Sequence, residues 1–90
     1  MSEVNASSAD VRKLAAALKQ YKEETKQVGR RVDGAIRSAN WHDKNKDQFE
    51  TRYRDFTRQI DRFMSTQVED MVRSLNDLAR KLEDIERMRM

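Results

Sequence analysis

The chain contains no cysteine and no proline, and only two glycines among its 90 residues. Without thiols there are neither disulfides nor thiolate metal sites. Without proline and with so little glycine, a turn-rich β fold lacks its punctuation, which leaves long helices. Aromatic residues are scarce too, at 7%. The single tryptophan, Trp41, and the single histidine, His42, stand side by side. No apolar run approaches transmembrane length, and the first twenty residues carry no apolar stretch of signal-peptide type. The expected location is the cytoplasm, or outside the cell after secretion without a cleaved signal peptide. Neither sign of charge dominates, since 19 Lys/Arg against 16 Asp/Glu leave a net +3. The basic excess lies in the first two thirds and is interleaved with acids, a sparser arrangement than a nucleic-acid groove uses.

What is present is charge and pattern. Charged residues make up 39% of the chain and apolar ones 37%, with a mean hydropathy of -1.04. Such a composition folds only if its apolar residues are tightly arranged. They are. From Val11 the apolar or small positions run Leu14, Leu18, Tyr21, Thr25, Val28, Val32, Ala35 and Ala39. That alternation of three and four is the heptad of a helix packed along a narrow seam. A second series runs Phe49, Tyr53, Phe56, Ile60, Met64, Val68, Met71, Leu75, Leu78, Leu82 and Ile85, with Phe63 beside Met64. Between Phe56 and Val68 it takes three steps of four, a stutter that locally unwinds a supercoil.

These series predict a single domain over 1–90, with helix 1 at about 9–38, a turn at about 39–43 and helix 2 at about 44–88. Ser7, Ser8 and Asp10 supply an N-cap region for helix 1. Asn40 suits a left-handed helix end, and Asp43 is a good N-cap for helix 2. A short connection makes the helices antiparallel. Equal counting back from the turn sets Val11 near Leu75 and leaves the end of helix 2 overhanging by two to four turns. A lone hairpin cannot bury both seams, so the fold expected is an all-α antiparallel two-helix hairpin, assembling as a four-helix bundle dimer. The core and dimer seam comprises Val11, Leu14, Leu18, Tyr21, Val28, Val32, Phe49, Phe56, Ile60 and Phe63. Leu78, Leu82, Ile85 and Met88 lie on the overhang and form a candidate partner surface.

Two long helices joined by a turn that carries Trp41, His42 and Asp43, followed by Phe49, Phe56 and Ile60 at helical spacing, resemble the WXG family. These are small helical-hairpin proteins of bacterial type VII secretion. The family turn reads Trp, any residue, Gly; here Asp43 replaces the glycine. No aromatic residue stands four positions before an acid after helix 2, which is the export signal of many secreted members. The resemblance implies an interaction protein, either a secretion substrate or an adaptor, acting as a homodimer or a heterodimer with a similar hairpin. A secretion ATPase or a larger effector is a further implied partner.

The remaining candidates have plain readings. Trp41 is expected to plug the bundle end, with its indole N–H on a loop carbonyl. One histidine does not make a metal site. Carboxylates such as Glu23, Glu24, Glu83, Asp84 and Glu86 fall on helix faces away from the seam, with Lys/Arg at helical spacing. No nucleophile–base pair and no glycine-rich phosphate loop is present, so neither catalytic residues nor a cofactor is expected. Two alternatives stand beside the secretion reading. One is a structural coiled-coil scaffold, and the other a basic helical nucleic-acid binder using Arg30, Arg31, Arg37, Lys44 and Lys46.

Overall fold

The computed structural model describes residues 6–89, and every secondary-structure element in it is helical. Helix α1 spans Ser8–Ser38, α2 spans Lys44–Phe63, a π-helical turn spans Met64–Val68, and α3 spans Glu69–Met88. The last three join end to end into one rod that sets the 67 Å length of the molecule. Helix α1 folds back along it as the other arm of a hairpin.

Each arm begins on a side-chain cap. The Ser7 hydroxyl accepts the Asp10 amide at 3.1 Å, and the Asp43 carboxylate accepts the Lys46 amide at 3.1 Å. Each satisfies an amide that the first helical turn leaves without a partner. Between the arms, Ala39 (φ -68°, ψ 135°) and Asp43 (φ -124°, ψ -177°) are both extended. No described residue has a positive φ, so Asn40 does not take the left-handed conformation its sequence position invites. Helix α1 ends because Ala39 leaves helical space, and the Ser38 hydroxyl takes up the Gly34 carbonyl at 2.9 Å.

The stutter read from the sequence is a π-helical turn. A heptad seam that must absorb extra residues can do so by widening one turn, and π segments do this. The chemistry at this turn helps. The Ser65 and Thr66 hydroxyls both donate to the Arg62 carbonyl, at 3.2 and 2.7 Å, serving an acceptor that the wider turn releases. The result is a change of phase. Beyond the turn, the inward column continues through Val72, Leu75, Ala79 and Leu82. A regular helix would have turned Ser74 and Lys81 toward α1 instead.

The dry core is small and lies away from the connection. Ala15, Met64, Val68 and Val72 form one buried cluster, flanked by Leu18, Ile60 and Leu75. Val11, Ala79 and Leu82 form another, also touching Leu75. Ala15 and Ala79 are small enough to bring the backbones together, and Ala79 is wholly covered. No residue of α2 is buried. On that side the arms part, held by the Tyr53 hydroxyl donating to the Gly29 carbonyl at 3.3 Å. Burial, and the nearby Asp33 carboxylate, push this phenol above its ordinary range.

Polar clamps line the core half. Arg12 grips Glu83 with two parallel bonds, Nε at 2.9 Å and Nη2 at 2.8 Å. Lys22 reaches Glu69, and the Ser8 amide and hydroxyl bond to Glu86. These contacts correct the overhang expected above. The start of α1 lies beside Glu86, so α1 covers nearly all of α3. The reason is a sliding register. Near the connection Asp33 and Arg37 share a cleft with Glu50 and Arg54, whereas at the far end Val11 meets Ala79 and Leu82. The long arm spends more residues over the same path.

Candidate partner-binding face

The ten seam positions do not share one environment. Val11 is buried, and Leu18, Val32 and Ile60 are half-buried against the opposite arm. Leu14, Tyr21, Val28, Phe49, Phe56 and Phe63 are exposed, between 41% and 58%. Helix α1 turns a different pair of heptad columns inward: Val11, Leu18, Thr25 and Val32 with Ala15, Lys22, Gly29 and Ile36. Ala15 lets the backbones approach in the core half, while the larger Leu14, Tyr21 and Val28 are set aside onto the flank. The second column carries a 3–4 spacing too, but alanine, glycine and lysine are weak apolar signals.

The long arm repeats the arrangement. Exposed Phe49, Phe56 and Phe63 sit one residue before inward Glu50, Thr57 and Met64; exposed Met71 and Leu78 sit one residue before buried Val72 and Ala79, and exposed Ile85 sits one residue before Glu86, itself exposed. The exposed series steps by seven throughout, except for one step of eight across the π-helical turn. One residue back is about 100° around a helix axis. Because the arms are antiparallel, that same rotation brings both exposed columns to one side of the hairpin. Tyr21, Val28 and Phe56 accordingly line a single open groove of about 1070 Å³, floored by Val32, Ile60 and Met64. Along α2 the rings form a ladder: Trp41 to Phe49 at 6.1 Å, Phe49 to Tyr53 at 6.1 Å, and Tyr53 to Phe56 at 6.5 Å.

The patch is large. Nine apolar side chains at roughly half exposure leave on the order of 700 Å² uncovered, taking 150–250 Å² for each large side chain. Monomeric proteins seldom expose more than 300–600 Å² contiguously, and a standard interface covers about 800 Å² per partner.

Of the proposed overhang surface, Leu82 is core against Val11, while Leu78, Ile85 and Met88 are exposed. Leu78 and Ile85 belong to the long stripe and are not a separate tail site. Trp41 is 39% exposed and rests on Phe49, and its indole N–H finds no acceptor among the described residues. His42 is exposed, and among the described residues no three metal-ligating side chains come together.

A further regularity escaped the sequence reading. Asp, an apolar residue, any residue and Arg recur at 55–58, 70–73, 77–80 and 84–87. In each, the apolar residue is on the exposed stripe (Phe56, Met71, Leu78, Ile85). The Asp pairs with the Arg three positions on. These i,i+3 pairs hem the outer edge of the face with charge. Among the described residues no helix is long and apolar enough to cross a membrane. No family model, curated protein or solved structure matches the chain.

Proposed function

We propose that this chain is a non-enzymatic interaction protein that closes its apolar face on a second helical hairpin, giving a four-helix bundle as a homodimer or heterodimer. The observation that carries this reading is the pair of seven-residue stripes, Leu14–Tyr21–Val28 and Phe49 to Ile85, exposed on one side. A helical partner of matching period fits such a surface, whereas a small molecule would cover little of it. The turn residues Trp41, His42 and Asp43, with the ring ladder beside them, favour the WXG-like reading. The protein is then a type VII secretion substrate, or an adaptor for one, and its bundle surface is what a secretion ATPase or larger effector meets.

The test uses the native host. The full chain and the double variant Phe56→Glu/Leu78→Glu are expressed, and the medium and co-purifying proteins are assayed. The variant should stay helical yet lose both partner and export. If the unaltered chain stays inside cells with no helical partner, the secretion reading fails. The charged Asp–Arg hem favours a second reading, a coiled-coil scaffold whose rods associate side by side. Assembly beyond a dimer, growing with concentration, would select it.

A further inference from the structure

We infer that α2 is a strap: it lifts from α1 and reseats as one unit, hinged at the π-helical turn and on the extended connection, with the Tyr53–Gly29 hydrogen bond as its latch. The inference goes beyond the partner-binding reading and does not depend on it, since it concerns the motion of a single chain.

The sequence sets the contrast between the two halves of the long arm. From Val68 onward, the column facing α1 is Val68, Val72, Leu75, Ala79 and Leu82, apolar throughout. On α2 it is Lys46, Glu50, Tyr53, Thr57 and Ile60, where only Tyr53 and Ile60 offer apolar surface. Opposite them, α1 presents Thr25, Gly29, Val32 and Ile36. A glycine on the inner side of a helix usually makes room for a close approach. Here nothing approaches, and a methyl built on Gly29 would meet no neighbour within 4 Å. The space before it is part of the open groove of about 1070 Å³. The groove is thus a gap that α2 leaves unfilled.

Burial and polar bonding divide along the same line. Every buried residue among those described lies on α1 up to Ala15 or on the long arm from Met64 onward. The clamps Ser8–Glu86, Arg12–Glu83 and Lys22–Glu69 all reach α3. Among the described residues one hydrogen bond joins α2 to α1, from the Tyr53 hydroxyl to the Gly29 carbonyl at 3.3 Å. That carbonyl already serves the ladder of its own helix, so releasing Tyr53 leaves no acceptor without a partner. Helix α2 also carries its own support. Asp43 caps its start, and Glu50 pairs with Lys46 at 3.4 Å and with Arg54 at 3.8 Å.

A hinge stands at each end. The π-helical turn is held in the core by Met64 and Val68, and widened turns of this kind are places where helices bend. At the other end, residues 39–43 are outside any helix and are extended at Ala39 and Asp43. Such a stretch reaches roughly 17 Å, enough for α2 to rise with its end still tied. Lifting uncovers Val32, Ile36 and Ile60, which are half-buried between the arms. The position of the strap therefore sets how much apolar surface the chain presents.

Amide hydrogen exchange of the full chain, followed residue by residue in dilute solution, tests the strap. Detached from α1, a helix of 20 residues is marginal in water, so each lift opens its amides to exchange. The amides of α2 should share one opening equilibrium and exchange on the order of tenfold faster, or more, than those from Val72 to Leu82. Tyr53→Phe keeps the ring and deletes the latch. It should speed exchange across α2 about fivefold, the equivalent of one net hydrogen bond, and leave α3 unchanged. Gly29→Leu puts apolar bulk into the gap from the α1 side and should slow α2 roughly tenfold, again without moving α3. A change of helix propensity alone would act on α1 and not across the gap. Protection in α2 equal to that in α3, or a Tyr53→Phe effect spread evenly over both, would overturn the strap, because exchange would then pass through global unfolding. Exchange in α2 that ignores Gly29→Leu would overturn α1 as its seat. These outcomes are separate from the partner-binding reading, which rests on the Phe56→Glu/Leu78→Glu variant.

Discussion

Leu78 and Ala79 are neighbours on α3 with opposite assignments, one on the open face and one in the core, and their substitution separates the two surfaces. Ala79 is fully covered and packs with Val11 and Leu82, whereas Leu78 is 42% exposed. Ala79→Leu forces three extra carbons between two closely spaced backbones, and overpacking of this kind costs about 1–3 kcal/mol. For a domain of this size each kilocalorie lowers Tm by roughly 4–8 °C, so the expected loss is about 5–20 °C. Leu78→Ala removes no core contact and installs the better helix former, so within one hairpin it should change stability by less than about 0.5 kcal/mol. Its effect should appear through association. The assay is thermal unfolding followed by circular dichroism at 222 nm over a hundredfold range of concentration. Unaltered protein should show a Tm that rises with concentration, as linkage requires of a pair. Ala79→Leu should shift the whole series down, and Leu78→Ala should flatten its slope while matching the unaltered protein at the lowest concentration. A tolerated Ala79→Leu, with Leu78→Ala costly even at limiting dilution, would show that α3 presents its other side to α1.

Three further outcomes are expected. Asp43→Ala should cost about 0.5–2 kcal/mol in urea titration, and Asp43→Gly only a few tenths, because the carboxylate caps Lys46 and glycine tolerates an extended cap. Hydrogen bonds from Lys22 and Arg12 hold the Glu69 and Glu83 carboxyls below the usual carboxylate range. Folded pKa values lowered in this way contribute stability that is full above the unfolded value and lost as pH falls through the folded one. The contribution is small for such exposed pairs, and Glu83→Gln should flatten the acid limb of a stability–pH curve. Deleting Gln67 should return the π-helical turn to regular helix and leave Val72, Leu75, Ala79 and Leu82 facing α1, because the turn absorbs one extra residue. Hydrogen exchange should then keep its protection in α3.

Much of the fold was written in the spacing. The heptads of Val11 to Val32 and Phe49 to Ile85 required two helices, and the three steps of four around Ile60 and Met64 marked where the second would change pitch. Spacing alone could not say which of two adjacent columns faces inward. Leu14 and Ala15 both fit a 3–4 repeat on α1, as do Leu78 and Ala79 on α3. Apolarity favours the leucines, but close approach favours the alanines, and close approach prevailed. The overhang failed for a related reason. Counting residues outward from Trp41 assumes equal rise on both arms, while the π-helical turn and the parting of α1 from α2 give the long arm extra residues to spend. The apolar face itself was half legible, since its residues were named but assigned to the seam or to a tail.

The placement of the core bears on how the chain finds its fold. An ordinary hairpin closes from its bend, each new contact shortening the next search. Here nothing near the connection is buried, and the nearest dry contacts join Ala15 to Met64 and Val68. Bringing together residues about 50 positions apart, rather than about 10, costs roughly 1.4 kcal/mol more in loop-closure entropy. That corresponds to roughly a tenfold slower nucleation than local zipping would allow, in a helical protein whose class is otherwise among the fastest to fold. Both helices must therefore be substantially formed before they meet. During that interval the ring ladder of α2 and the stripe of α3 stand open together, so encounter with another chain competes with closure on α1.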